Sequence, residues 1–155
     1  MKIATLGIIH QGDTVLFGEK KQGKFGVGKL TGPGGKQEEG ETIGECLIRE
    51  TFEECGVWLD PASLMLVAIV DFHAAGVLDF RVYIYHARIL SGTIRETEEM
   101  IPGWYPMDEA TLARTYDSDR HWLPQAVRGE RFRANVYYRS QAKDFDRIEF
   151  LPFAV

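Results

Sequence analysis

Polar and apolar residues alternate most clearly over residues 80–89, where Phe80, Val82 and Ile84 fall on one face and Arg81, Tyr83 and Tyr85 on the other. A period of two predicts a strand with one buried face. Residues 64–72 form a second apolar run of strand length. Residues 3–10 and 15–17 flank the turn residues Gln11-Gly12-Asp13 and predict a hairpin. Residues 104–107 predict a short strand end and residues 108–114 a short helix. Residues 132–138 and 148–153 flank a polar turn and predict a closing hairpin.

The rhythm changes between these segments. Thr42 followed three positions later by Glu45 is a capping-box pattern, and Gly56 supplies a C-terminal stop, so a helix is predicted in between. Ahead of it, residues 22–40 carry glycine at 23, 26, 28, 32, 34, 35 and 40 together with Pro33. A loop of that length in a compact domain is usually functional. Strands before, around and after a central helix predict a layered α/β fold with a mixed sheet, formed as a single domain over residues 1–155.

Composition narrows the class. With 155 residues, 45% hydrophobic and 26% charged, the chain can bury a sizeable core. No apolar stretch approaches the roughly 20 residues of a membrane helix, and the N-terminal apolar run alternates like a strand rather than a signal peptide. Cys46 and Cys55 lie nine residues apart in one predicted helix, too far to bridge, so two reduced thiols in a cytoplasmic protein are expected. A formal net charge of −5 without a basic stripe argues against a nucleic-acid backbone as partner and for a small ligand.

The chemistry lies in the helix. At 100° per residue, Glu50, Glu53 and Glu54 fall within an arc of roughly 100°. Like charges at this spacing repel, and they lie near the helix C-terminus, where the dipole disfavours anions. A solvated acidic face is the plain alternative. The glycine loop directly before the helix favours another reading, because it lets backbone approach a ligand and donate N–H groups. A hard divalent cation removes the repulsion, since Mg²⁺ takes oxygen ligands and bridges carboxylates to phosphates.

The segment from Gly35 to Val57 resembles the box of the Nudix hydrolase family, G-x5-E-x7-R-E-U-x-E-E-x-G-U, where U is bulky and apolar. Gly35, Glu41, Arg49, Glu50, Glu53, Glu54 and Gly56 fill its seven fixed positions and Val57 its last apolar one. At about 1 in 15 per position, such a match arises by chance on the order of once in 10⁸ windows. Thr51 departs from the first apolar position and is expected to face the sheet. The resemblance implies the Nudix fold, a mixed β-sheet sandwiched between helices with a loop–helix–loop box. It implies Mg²⁺ as cofactor, with Mn²⁺ able to take its place. Glu50, Glu53 and Glu54 would be metal ligands, joined by a main-chain carbonyl near Gly34 and Gly35. Arg49 would orient a neighbouring glutamate, also forming an i,i+4 pair with Glu45 or Glu53, and Glu41 would steady the turn into the helix.

The resemblance extends to the oxidised-purine nucleoside triphosphatases of the animal 8-oxo-dGTPase type, relatives of MutT, through residues 18–57, 98–104 and 119–124. It implies a further metal-binding glutamate at Glu99, also a candidate general base. It places Thr5, Lys20, Phe25, Thr31, Met100, Tyr116, Asp119 and Trp122 around base and sugar. Thr31 stands where the subfamily has Asn, and Ser118-Asp119 where it has two adjacent Asp. With Ser118 replacing the first, Asp119 is expected to stay ionised, accept only, and favour guanine-type edges. The implied reaction is Mg²⁺-dependent cleavage of a nucleoside triphosphate to monophosphate and pyrophosphate, with a small nucleotide as the partner. Two other readings remain: a Nudix enzyme acting on a 5′-triphosphorylated RNA end, a dinucleoside polyphosphate or ADP-ribose, and a non-catalytic nucleotide sensor. The sequence leaves the oligomeric state open.

Overall fold

The computed structural model describes residues 1–141 and 143–154. In chain order its elements are β1 (Lys2–Ile8), β2 (His10–Gln11), β3 (Thr14–Lys20), β4 (Leu30–Thr31), α1 (Ile43–Cys55), β5 (Trp58–Leu59), β6 (Met65–Ala74), β7 (Val77–His86), β8 (Ile89–Ser91), β9 (Met100–Pro106), α2 (Glu109–Leu112), α3 (Asp119–Val127), β10 (Phe132–Ser140) and β11 (Lys143–Leu151). The strands divide between a five-stranded mixed sheet, β1-β7-β6-β10-β11, and a smaller antiparallel sheet in which β3 pairs with β2, β4 and β9. A short β5–β8 pair follows the helix. The α/β class with a mixed sheet is as expected; the division into two sheets is the added detail.

Strand β3 explains the layering. Val15, Leu16 and Phe17 are all buried, which requires apolar neighbours on both faces. Val15 and Phe17 join the larger core with Ile8, Val70, Ile84, Val136 and Trp122, and Leu16 joins a second core with Leu47, Cys55, Val57 and Met100. Helix α3 closes the first core through Trp122, Leu123 and Ala126. Helix α1 closes the second through Leu47 and Cys55.

Three sequence expectations change here. The hairpin over residues 3–17 shrinks to the β2–β3 turn, because β1 pairs in parallel with β7 along its whole length. The strand end at 104–107 is the tail of β9, whose Pro102 and Gly103 disguise its first half. Proline is tolerated because, among the described residues, β9 pairs with β3 alone, leaving its other edge without ladder bonds. Helix α3 was not anticipated, since Pro124 lies inside it. The closing hairpin forms as β10–β11, and β10 also pairs in parallel with β6.

Thr51 is fully buried, as expected of a box position facing inward, but its Oγ1 has no hydrogen-bond partner among the described residues. A buried, unsatisfied hydroxyl is destabilising, so Thr51→Val, nearly the same shape, should raise stability by about 1 kcal/mol. Urea melts of the two proteins measure this; a less stable valine variant would mean that the hydroxyl has a partner.

Candidate active site

The site is built from the turn before α1 and the C-terminal half of α1. Thr42 caps the helix: its hydroxyl accepts from Glu45 N at 3.1 Å while the Glu45 carboxylate accepts from Thr42 N at 2.8 Å. The preceding loop lies along the edge of β1, with Thr5 N donating to Gly35 O at 2.9 Å and Gly7 N to Pro33 O at 2.7 Å. Two glycines here are obligatory. Gly34 has φ +151°, and a side chain on it would run into the Thr5 carbonyl. A Cβ on Gly35 would lie 2.5 Å from the Glu50 carboxyl carbon. The backbone thus comes against the helix where the glutamates are.

Arg49 organises the outer side. Its guanidinium donates to both oxygens of Glu41, at 2.9 and 2.7 Å, to Glu50 at 3.0 Å and to Glu53 at 3.1 Å. The bidentate bond from Arg49 holds the Glu41 carboxyl down at about 2. Glu45 is occupied by the cap, so the i,i+4 partner of Arg49 is Glu53.

On the inner side, carboxylate oxygens of Glu50, Glu54 and Glu99 lie within 4.8 Å of one another. Glu54 accepts Gly34 N at 2.8 Å. Burial nevertheless pushes its carboxyl well above the usual range, reinforced by the charges of Glu50 and Glu99. Burial raises Glu50 as well, against the pull of Arg49. Glu99 arrives from the loop before β9, anchored by Thr97, whose hydroxyl donates to Glu54 O at 2.9 Å and accepts from Glu99 N at 3.3 Å. Glu53 stands outside this trio, 43% exposed on its side chain and held by Arg49. Among the described residues the one ion pair to these three carboxylates is Arg49 on a single oxygen of Glu50; the negative charge that remains, beside a turn that leaves no room for a side chain, suits a hard divalent cation. Lys20 lies nearby, its Nζ donating to Phe25 O at 3.1 Å, its ammonium lowered by burial despite the charge of Glu54.

Behind the glycine turn opens a cavity of about 260 Å³, whose wall includes Thr5, Phe25, Thr31, Gly34, Gly35, Phe72, Phe80, Tyr116, Asp119, Trp122 and Tyr138. Gly34 and Gly35 therefore separate cavity from carboxylates and touch both. Asp119 lies in the wall, 7% exposed, its carboxylate accepting from Tyr116 N at 3.2 Å. Burial pushes its carboxyl up to about 7.

Residues 1–126 match the protein family described as NUDIX domain. The chain belongs to the Nudix family. It is 35% identical over 90% of its length to the mouse protein named oxidized purine nucleoside triphosphate hydrolase, covering 88% of that protein. It is 34% identical to the zebrafish protein of the same name, over 92% of this chain and 89% of that one. Among solved structures, a MutT protein from Bacillus halodurans superposes with a TM-score of 0.78 at 20% identity over 97% of both chains, a likeness of fold.

The Nudix box residues fall where the resemblance puts them around one turn and one helix, but not all face the same way. The Gly35 carbonyl is turned to β1 and engaged by Thr5 N, and Gly34 offers Glu54 its N–H. Of the residues expected around base and sugar, Thr5, Phe25, Thr31, Tyr116, Asp119 and Trp122 do line the cavity. Met100 does not: it is 1% exposed in the second core, packed under Gly18. Lys20 is not part of the cavity wall either, but its Nζ lies against Phe25, which is: it donates to Phe25 O at 3.1 Å and stands 5.0 Å from the ring centroid. Ser118 points away, its N–H and Oγ both bonded to Tyr138 Oη at 3.1 and 2.8 Å. The expectation that Asp119 stays ionised is opposed by its burial, which pushes its carboxyl up to about 7. Sequence reasoning missed Thr97 and Tyr138. Thr97 stands two residues before Glu99 with no spacing to mark it, and Tyr138 reaches Ser118 only through the parallel β6–β10 pairing.

Asp119 yields a pH prediction with a definite sign. In the unfolded chain its carboxyl ionises near 4; in the fold it does so near 7. Between these values the folded state holds the extra proton, so stability falls as pH rises from about 4 to 7 and then levels off. Asp119→Asn lacks this dependence. Its Tm relative to wild type should therefore rise between pH 5 and pH 8, read from paired thermal melts. A Tm difference that stays flat or falls over this range would show that Asp119 is ionised throughout.

Proposed function

We propose that this Nudix protein is a divalent-metal-dependent pyrophosphohydrolase that cleaves nucleoside triphosphates to monophosphate and pyrophosphate, acting on oxidised purine nucleotides such as 8-oxo-dGTP. The observation that carries this reading is the shared wall: the same two glycines border the three-carboxylate cluster and an aromatic-lined cavity of purine scale. A base in the cavity would bring its phosphates over the turn toward Glu50, Glu54 and Glu99. The names of the mouse and zebrafish relatives support the same substrate class.

Glu50, Glu54 and Glu99 would hold Mg²⁺, or Mn²⁺ in its place. The bound ion supplies charge neutralisation for the phosphate chain and makes water a better nucleophile. Lys20 adds positive charge on the same side. Arg49 fixes the rotamers of Glu50 and Glu53 at once, so the two carboxylates keep a set spacing. Water attacks a phosphorus of the α–β bridge in line, its oxygen bonding to phosphorus as the bridging P–O bond breaks. Its proton passes to a glutamate; the solvent exposure of Glu53 and the position of Glu99 beside Glu50 and Glu54 support these two as candidates. Phe25, Tyr116 and Trp122 offer ring faces to the base. Asp119, carrying its proton up to about pH 7, offers a donor as well as an acceptor, so adenine-type and guanine-type oxidised edges both find a complement.

Pyrophosphate release from 8-oxo-dGTP, 2-hydroxy-dATP, dGTP and ADP-ribose with Mg²⁺ tests this reading. Both oxidised nucleotides should be cleaved, faster than dGTP, with pyrophosphate as co-product. Glu50→Gln should lower kcat by at least about 10²-fold with the fold retained. Cleavage of ADP-ribose alone would overturn the substrate assignment, and undiminished turnover by Glu50→Gln would remove the box from the chemistry.

A further inference from the structure

The Gly34–Gly35 turn is tied to the sheet by the Thr5 N–H, yet it must also keep a fixed distance from α1, where the glutamates are. A side chain outside the carboxylate set spans that gap. Cys46 lies on α1 one turn before Glu50 and is entirely buried. Its Sγ stands 3.4 Å from Gly35 O as donor and 3.5 Å from Thr5 Oγ1. The Gly35 carbonyl has two lone pairs: Thr5 N takes one at 2.9 Å, and the other is within reach of the thiol at 3.4 Å and of the Thr5 hydroxyl at 3.5 Å, so of these donors only the thiol comes from the helix. The first bond fixes the turn to β1, the second fixes it to the helix.

We infer that Cys46 is a positioning residue, whose thiol pins the glycine turn against α1 and so sets where the carboxylates of Glu50 and Glu54 meet a cation. The link from turn to carboxylate is short on both arms. Gly34 N donates to Glu54 at 2.8 Å, and the Gly35 Cα faces Glu50 so closely that a Cβ would sit 2.5 Å from its carboxyl carbon. A turn that slid along β1 would lose the first contact and press on the second. Cys46 also touches Thr5, which lines the cavity, so one thiol joins the cavity wall to the carboxylate cradle. The competing explanation is that Cys46 only fills space beneath the loop.

This inference rests on reading the cluster as the cation site of a hydrolase, and three variants separate it from simple packing. Cys46→Val keeps volume without a donor, Cys46→Ala removes both, and Cys46→Ser restores a donor with slightly shorter reach. Mn²⁺ affinity of each metal-free protein is measured by titration followed by electron paramagnetic resonance, and kcat and KM with the fastest nucleoside triphosphate. Groups that orient metal ligands typically affect affinity or activity about 10- to 100-fold. The valine and alanine variants should therefore bind Mn²⁺ about tenfold more weakly and lose about tenfold in kcat, with KM changed less than about twofold. The serine variant should recover both to within about threefold. Wild-type Mn²⁺ affinity in Cys46→Val would overturn the inference and leave the residue as a space filler. A serine variant as impaired as valine would overturn it too, since the donor would then not be what matters. If wild type released pyrophosphate from no nucleoside triphosphate, the proposed function would fall, while the Mn²⁺ comparison would still decide the role of Cys46.

Discussion

Three carboxylates drawn together at the end of a helix set the terms for everything around them. Glu50 and Glu54 are both pushed toward their neutral forms by burial, and each is repelled by the others. An unpaired buried charge costs several kcal/mol in a folded protein. The surrounding devices hold this unfavourable group in place without cancelling it. Arg49 binds the outer glutamates and only one oxygen of Glu50. Gly34 gives Glu54 one N–H, and Thr97 clamps the Glu99 loop to the last turn of α1. The deficit left over is what a cation would satisfy.

The two-sheet architecture serves the same end. Strand β1 carries the glycine loop along one edge, and β7 holds its other edge, so the backbone hydrogen bonds that fix the loop to the five-stranded sheet run to β1. Helix α1 is seated on the second core through Leu47 and Cys55. The carboxylates therefore sit where two cores meet, and the cavity behind them lies in the space between the sheets, closed by α3. Asp119 at the start of α3 is buried in that wall, which is why its proton stays to about pH 7.

What was legible in the sequence was local. The Thr42–Glu45 cap, the Gly56 stop and the carboxylate face of α1 each depend on residues within a few positions, and the helix forms as read. The glycine pattern also announced a close backbone approach, which Gly34 and Gly35 make. What was hidden depended on pairings far apart in the chain. The parallel partners of β1 and β10 leave no mark in either strand alone. Ser118 turns inward because Tyr138 waits on β10, and Met100 is core because Gly18 leaves a space above it. Matching a family's ligand-facing positions showed that those residues lie near the cavity, without showing which way each side chain points. The same holds for Glu53: on a helical wheel it belongs with Glu50 and Glu54, whereas Arg49 draws it to the outer side.

Glu50, Glu54 and Glu99 are read together as a cation site. Thermal melts of metal-free wild type and Glu54→Gln, each titrated with MgCl₂ and MnCl₂ against a NaCl control of equal ionic strength, test it directly. A ligand that binds only the folded state stabilises it by about 2.7 kcal/mol at a hundred times its Kd. Divalent ions should raise the Tm of wild type well beyond the NaCl control. Glu54→Gln should be more stable than wild type without metal, because one buried charge is gone, and should gain much less from Mg²⁺ or Mn²⁺. A wild-type Tm indifferent to millimolar divalent metal, or a metal response unchanged in Glu54→Gln, would contradict it.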